Sequence, residues 1–258
     1  MLSSLLCCSK RQLKVFVLHD DLTEADQREI FALFPEVEFE YIKMDISVCK
    51  GFPTVKRYPF TIYYRIFAPI LLPEGVERVL YLDCDLVAHN SFDEFYDSDF
   101  CGSYFIACSN TGAFLTALNR IRMGVPKGYV YMNTGVVLMN VKALRQVITV
   151  EGIRNYTVKN KPRLMLYDQD VLFGLYGDRI KKEDFRKYNL SDRHFSRLRL
   201  SANGKIDEQW VEEKNVFVHY IGTNKPWKDG YRGVLDKYYH QSAAALDERL
   251  KARQVEEK

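Results

Sequence analysis

No apolar run in the sequence approaches the roughly 20 residues needed to cross a bilayer as a helix. The apolar start, Met1 to Cys8, has no basic flank and is shorter than a signal-peptide core of about 7–15 residues with its flanks. The chain is therefore expected in the cytoplasm. The six cysteines include no C-x-x-C pair and stop before the second half, which argues against a zinc ribbon or a secreted disulfide framework and for reduced thiols. No charge of one sign dominates: 37 basic residues face 34 acidic ones, a net +3, too balanced to argue for a nucleic-acid partner. Repeats and low-complexity linkers are also missing. At 47% hydrophobic and 28% charged, the composition suits a packed core and excludes wholesale disorder.

The chain alternates strand-like and helix-like segments. Strands are expected at residues 13–18, 37–42, 79–82, 104–108, 135–140 and 216–220, each apolar and bounded by turn residues. Thr23 with Asp26 three residues on signals a capping box for a helix to about Phe34. A second helix is expected from Thr61 to before Pro73, with Pro69 as a kink or an earlier end. Shorter helices are expected at 141–147 and 170–176, and a charged, helix-prone tail from Val234. This order implies one doubly wound α/β domain, residues 1–232, followed by a helical tail, 233–258. Ligands of such sheets sit beyond the carboxyl ends of the strands.

Asp83-Cys84-Asp85 directly follows the apolar run Val79–Leu82. If the strand persists, residues two apart share a face, so both carboxylates converge. Two hard oxygen donors there suit Mg²⁺ or Mn²⁺ holding a phosphate. The string alone is uninformative, since Asp97-Ser98-Asp99 and Asp168-Gln169-Asp170 repeat it. Two other readings exist: a turn cap, and the nucleophile of a haloacid-dehalogenase-like phosphatase. The late acidic motif of that phosphatase is only weakly imitated, by Gly177-Asp178 and Asp184. A second constellation follows the strand Val216–Val218: His219, Gly222 and Lys225 at three-residue steps, then Pro226 and Trp227. A histidine added to two carboxylates favours Mn²⁺ over Mg²⁺. Gly222 lets the backbone approach a phosphate, and Lys225 offers it a point charge.

Tyr81 to Asp85, Tyr131 to Asn140, Tyr167 to Asp170 and His219 to Trp227, in that order, resemble glycosyltransferase family 8, which includes bacterial lipopolysaccharide galactosyl- and glucosyltransferases and the glycogenins. The resemblance spans Leu13 to Trp227 and implies a GT-A nucleotide-diphospho-sugar transferase fold, taken here as a single, mostly parallel sheet with helices on both faces. It implies Asp83, Asp85 and His219 as Mn²⁺ ligands (Mg²⁺ being the other candidate), and Cys84, Gly222 and Lys225 at the nucleotide diphosphate. Arg65, Asn133 and Thr134 match residues reaching the donor, and Asp168 and Gln169 those lining the sugar at the anomeric centre. Asp168 also fits as the N-cap of the helix from Asp170.

The implied reaction is transfer of glucose or galactose from its UDP derivative to a glycan or glycolipid hydroxyl, with retention. A catalytically inactive nucleotide-sugar binder is the second reading and the phosphatase a remote third. Residues 179–205 hold nine basic and three acidic residues, a stretch that suits an anionic glycolipid or the inner membrane surface, or a solvated face. Tyr188-Asn189 within it resembles an acceptor-side element. Against the family, the chain is expected to lack the opening strand that binds base and ribose, with Met1–Leu6 matching the end of the next helix. Strands beside that position would keep unpaired edges.

Overall fold

The computed structural model describes residues 1–55, 59–201 and 206–256. The strands are β1 (Lys14–His19), β2 (Glu38–Lys43), β3 (Arg78–Leu82), β4 (Leu86–Ala88), β5 (Phe105–Cys108), β6 (Val136–Asn140), β7 (Ile180–Glu183) and β8 (Phe217–His219). The helices are α1 (Leu2–Cys8), α2 (Glu24–Leu33), α3 (Tyr64–Leu71), α4 (Asp93–Tyr96), α5 (Ala113–Met123), α6 (Val141–Leu144), α7 (Val150–Asn160), α8 (Tyr167–Tyr176), α9 (Phe185–Tyr188), α10 (Asp192–Ser201), α11 (Glu208–Lys214) and α12 (Asp236–Glu256). Every strand expected from sequence is present, its ends displaced by no more than one residue. The capping box forms as well: Thr23 Oγ1 accepts from Asp26 N and the Asp26 carboxylate accepts from Thr23 N.

The α/β class holds, but the strands do not form one mostly parallel sheet. Among the described residues, the order β3-β6-β5-β7 makes a four-stranded sheet, and β1-β2 and β4-β8 form separate pairs. β6 runs antiparallel to both β3 and β5, and β4 antiparallel to β8; of the strand pairs among the described residues, β1-β2 and β5-β7 are parallel. Strands buried on both faces, such as β5, read as continuous apolar runs whichever way they point, so composition does not encode direction. β1 and β3 each carry a strand partner on one edge only among the described residues, and most of their apolar side chains are half-buried.

The antiparallel arrangement assembles the site. β3 ends where β6 begins, so Leu82 lies opposite Val136 and Asp83 N donates to Gly135 O at 2.8 Å. β4 aligns Leu86 with His219, and Tyr220 N donates to Asp85 O at 2.9 Å. The expected helix from Thr61 opens as a 3₁₀ turn, Phe60–Tyr63, and continues as α3 with Pro69 inside it. Pro69 removes one backbone donor. The end of α3 is pinned by Arg145, whose guanidinium donates to the carbonyls of Pro69, Leu72 and Pro73. That holds the helix carrying Arg65 against the core. α12 packs on α1 and β4, buries Tyr238 and ties Arg249 to Leu33 O and Glu36 near the end of α2. All six cysteines are free, and no helix among the described residues is long and apolar enough to cross a membrane. Ala202–Lys205, the end of the basic stretch, lies outside the described residues.

Candidate active site

Asp83, Asp85 and His219 come together at the carboxyl ends of β3 and β8. Ligand atoms from the three lie within 4.8 Å of one another. His219 Nε2 sits 2.9 Å from Asp85 Oδ1 and 3.7 Å from Asp83 Oδ2. Its Nδ1 lies 2.8 Å from Asn189 Oδ1, an acceptor that takes the Nδ1 proton and fixes the ring with Nε2 facing the carboxylates. Asn189 is fully buried, and its Nδ2 donates to Asn133 Oδ1 at 2.8 Å. The acceptor-side expectation for Asn189 is thus replaced by a place beneath the histidine.

Gly135 completes the cradle. A Cβ there would lie 2.1 Å from His219 Cε1 and 2.9 Å from Asp83 Oδ2, so only glycine leaves room for both ligands. Two carboxylates and one imidazole, held by buried partners, suit Mn²⁺ or Mg²⁺. The chemistry of the donors and the space kept by Gly135 both fit the expected ion.

Lys225 reaches one of these carboxylates from the loop after β8, pairing with Asp85 Oδ2 and donating to Tyr220 O at 2.6 Å. Burial alone would raise the Asp85 pKa, but hydrogen bonds and charge from His219 and Lys225 outweigh it and hold it at about 2. Gly222 takes the left-handed φ of +93° in this loop, which a side chain would resist. Lys225 lies 5.4 Å from the centre of the Trp227 ring, so the indole flanks the lysine. Cys84 is exposed between the two aspartates.

Arg65 forms a second centre beside the first. It is buried, donates to Thr134 O at 2.6 Å, pairs with Asp83 Oδ1 at 2.9 Å and lies 3.4 Å from Asp168 Oδ2. Its guanidinium sits over the Tyr81 ring, whose hydroxyl donates to Asp83 Oδ1 at 2.9 Å. This is no surface salt bridge. Burial works against the Arg65 charge, but Tyr81, Asp168 and Asp83 outweigh it and its pKa rises. Asp168 accepts from Thr134 Oγ1 at 2.8 Å. Burial pushes its carboxyl above the usual range despite Arg65 and Thr134. Asp168 does not cap α8; the N-cap position is Leu166, and Asp168 lies in the first turn. Gln169 follows it, also buried. Asn133 Oδ1 is taken by Gly135 N and Asn189 Nδ2, which leaves its amide N–H groups as its donors.

Four groups received no role from sequence: Tyr81, Gly135, Asp170 and Arg122. Asp170 is fully buried and accepts from Arg122, Tyr131 Oη and the backbone N–H of Met165 and Leu166. It fixes the start of α8, and with it Asp168 and Gln169. The glycine directly before the β6 run was a visible signal; side-chain partners for Asp170 39 and 48 positions away have no local signature.

A family model described as glycosyl transferase family 8 matches residues 1–230. A lipopolysaccharide 1,3-galactosyltransferase of Salmonella typhimurium is 26% identical over 250 residues, 93% of this chain and 71% of that protein. A lipopolysaccharide 1,2-glucosyltransferase of Escherichia coli is 26% identical over 188 residues, 72% of this chain but 55% of that protein. The galactosyltransferase LgtC, solved with donor and acceptor sugar analogues, superposes with a TM-score of 0.78 at 20% identity, covering 95% of this chain and 89% of its own. That likeness carries the fold, a GT-A arrangement, and the match across most of the chain carries the family. The chain belongs to glycosyltransferase family 8.

Proposed function

We propose that the protein transfers a hexose, glucose or galactose, from a UDP-sugar to a hydroxyl of a glycan or glycolipid, with retention of configuration. The observation that carries this reading is the juxtaposition of the Asp83–Asp85–His219 cluster and Lys225 with the buried Arg65–Thr134–Asp168 centre. The first suits a diphosphate and the second a neutral, hydroxyl-rich ring. A divalent ion, Mn²⁺ by the nitrogen donor, would be held by Asp83, Asp85 and His219 and would offset charge on the departing diphosphate.

The protein groups divide the remaining work. Lys225 is placed to exchange its contact with Asp85 for a phosphate oxygen. Gly222 lets the loop backbone come close. Arg65 and the Asn133 amide orient sugar oxygens, and Thr134 holds the Asp168 carboxylate in place. Asp168 is committed to Arg65 and Thr134, and Gln169 is neutral, so neither stands as a free, strong nucleophile. That favours front-side attack, in which the leaving phosphate oxygen takes the acceptor proton while Gln169 orients the anomeric centre. Removing one preorganised charge contact of this type costs about 10²–10³ in rate.

The test is hydrolysis of UDP-glucose and UDP-galactose with and without Mn²⁺, with the released sugar's anomeric form followed by NMR. Metal-dependent turnover with retention is expected, and Asp83→Ala or His219→Ala should abolish it. Full turnover in either variant would remove the ligand assignment. A UDP-induced thermal shift without any turnover would favour the inactive-binder reading.

A further inference from the structure

α5 is built inside out. Its outward side carries Phe114, Leu115, Leu118 and Ile121, spaced at one, four and seven residues along the helix, with Phe114 75% and Ile121 73% exposed. Its polar residues Thr116, Asn119, Arg120 and Arg122 are partly buried instead, and Met123 is fully so. The ordinary pattern of a surface helix is the reverse. The patch continues past the helix. Arg122 donates to Arg163 O and holds Asp170, which binds the N–H groups of Met165 and Leu166, so this segment lies against the end of α5. Met165 is 67% exposed and Leu166 is exposed as well.

We infer that this face seats the protein on an anionic lipid bilayer, with the α5 ridge entering the headgroup–acyl boundary. Three observations select that occupant. Contiguous exposed apolar surface of this kind marks a docking site. Its border is cationic: Lys127, Lys161 and Arg163 are exposed, and none has a carboxylate within ion-pair distance among the described residues. The adjoining acid, Asp170, is buried and already paired. A second copy of the chain meeting this face would bring like charges together, whereas anionic headgroups neutralise them. The position also fits. Leu166 O accepts from Gln169 N at 2.8 Å, so the apolar face borders the first turn of α8, where the sugar is proposed to lie. This extends the glycolipid side of the proposed function, and vesicle binding requires no donor, metal or acceptor.

Co-sedimentation of the full chain with vesicles tests it, using phosphatidylcholine alone and phosphatidylcholine with about one-third phosphatidylglycerol, at low and high salt. Binding to the anionic vesicles is expected, weakening as salt screens the cations. Phe114→Ser with Ile121→Ser should lower the partition coefficient on the order of tenfold, with its melting temperature and UDP-sugar hydrolysis kept at wild-type levels. Lys127→Glu with Lys161→Glu should remove the preference for anionic lipid. Wild-type protein left in the supernatant with both vesicles would overturn the inference. So would undiminished binding by the serine variant, or a wild-type dimer that the serine variant turns into monomer. None of these failures bears on metal-dependent hydrolysis.

Discussion

Gly135→Ala isolates the geometry of the metal cradle without removing a ligand. The added methyl would begin 2.1 Å from His219 Cε1, 2.8 Å from Nδ1 and 2.9 Å from Asp83 Oδ2. Ordinary carbon contacts lie at about 3.5–4.0 Å, so the imidazole must retreat by about 1.5 Å. It has nowhere soft to go: His219 is buried and its Nδ1 rests on the fully buried Asn189. The backbone cannot yield freely either, because Gly135 O accepts from Asp83 N. Metal–ligand distances tolerate about 0.2 Å. The variant should therefore lose at least about 100-fold in apparent Mn²⁺ affinity, beyond the roughly 10–100-fold typical of an outer-sphere change, and about 1–3 kcal/mol of stability from overpacking. The assay is Mn²⁺ titration of UDP-sugar hydrolysis, paired with urea unfolding. Gly75→Ala is the control, since a Cβ there meets nothing within 4 Å, and it should leave the curve unchanged. A Gly135→Ala protein with the wild-type Mn²⁺ curve would refute the cradle argument.

Three further outcomes are expected. Asn189→Ala frees the imidazole to rotate and should weaken Mn²⁺ activation about 10–100-fold with a smaller change in KM for the donor at saturating metal; an unchanged activation curve would deny Asn189 its positioning role. Asp170→Asn should cost about 2–3 kcal/mol near neutral pH, because it breaks a buried pair whose partner Arg122 still reaches solvent. The Asp170 carboxyl is held below the usual range in the folded state, Arg122 and Tyr131 outweighing burial. Its contribution is thus present above about pH 4 and lost as pH falls below that, so the gap between wild type and Asp170→Asn in urea unfolding should close in acid; a gap that widened in acid would contradict the sign. Thr134→Val leaves Asp168 with one hydrogen-bond donor fewer and should reduce kcat more than KM, which steady-state kinetics on either UDP-sugar would show.

Much of the site was legible because its chemistry sits at strand ends with local signatures. Asp83 and Asp85 follow an apolar strand, and His219, Gly222 and Lys225 follow another, so each half could be placed without knowing how they meet. Direction was not legible. Val136–Met139 is apolar throughout, which suits a strand buried on both faces running either way, and the antiparallel setting of β6 is what brings Gly135 to Asp83. Asn189 was read as an acceptor-side element from resemblance alone, and the end of α9 folds it under His219. Asp170 looked like one of three acidic pairs, and only long-range packing singles it out. The α5 helix was missed outright, and its apolar stripe faces outward, against the burial that periodicity normally reports.

The central claim is that Asp83, Asp85 and His219 together hold a divalent cation for a diphosphate. Electron paramagnetic resonance of Mn²⁺ titrated into the protein with UDP present reads this directly, through loss of the free-ion signal. One bound Mn²⁺ per chain is expected in the wild type, lost in both Asp83→Ala and His219→Ala while the folded circular dichroism spectrum is retained. Wild-type stoichiometry in either folded variant would contradict the account.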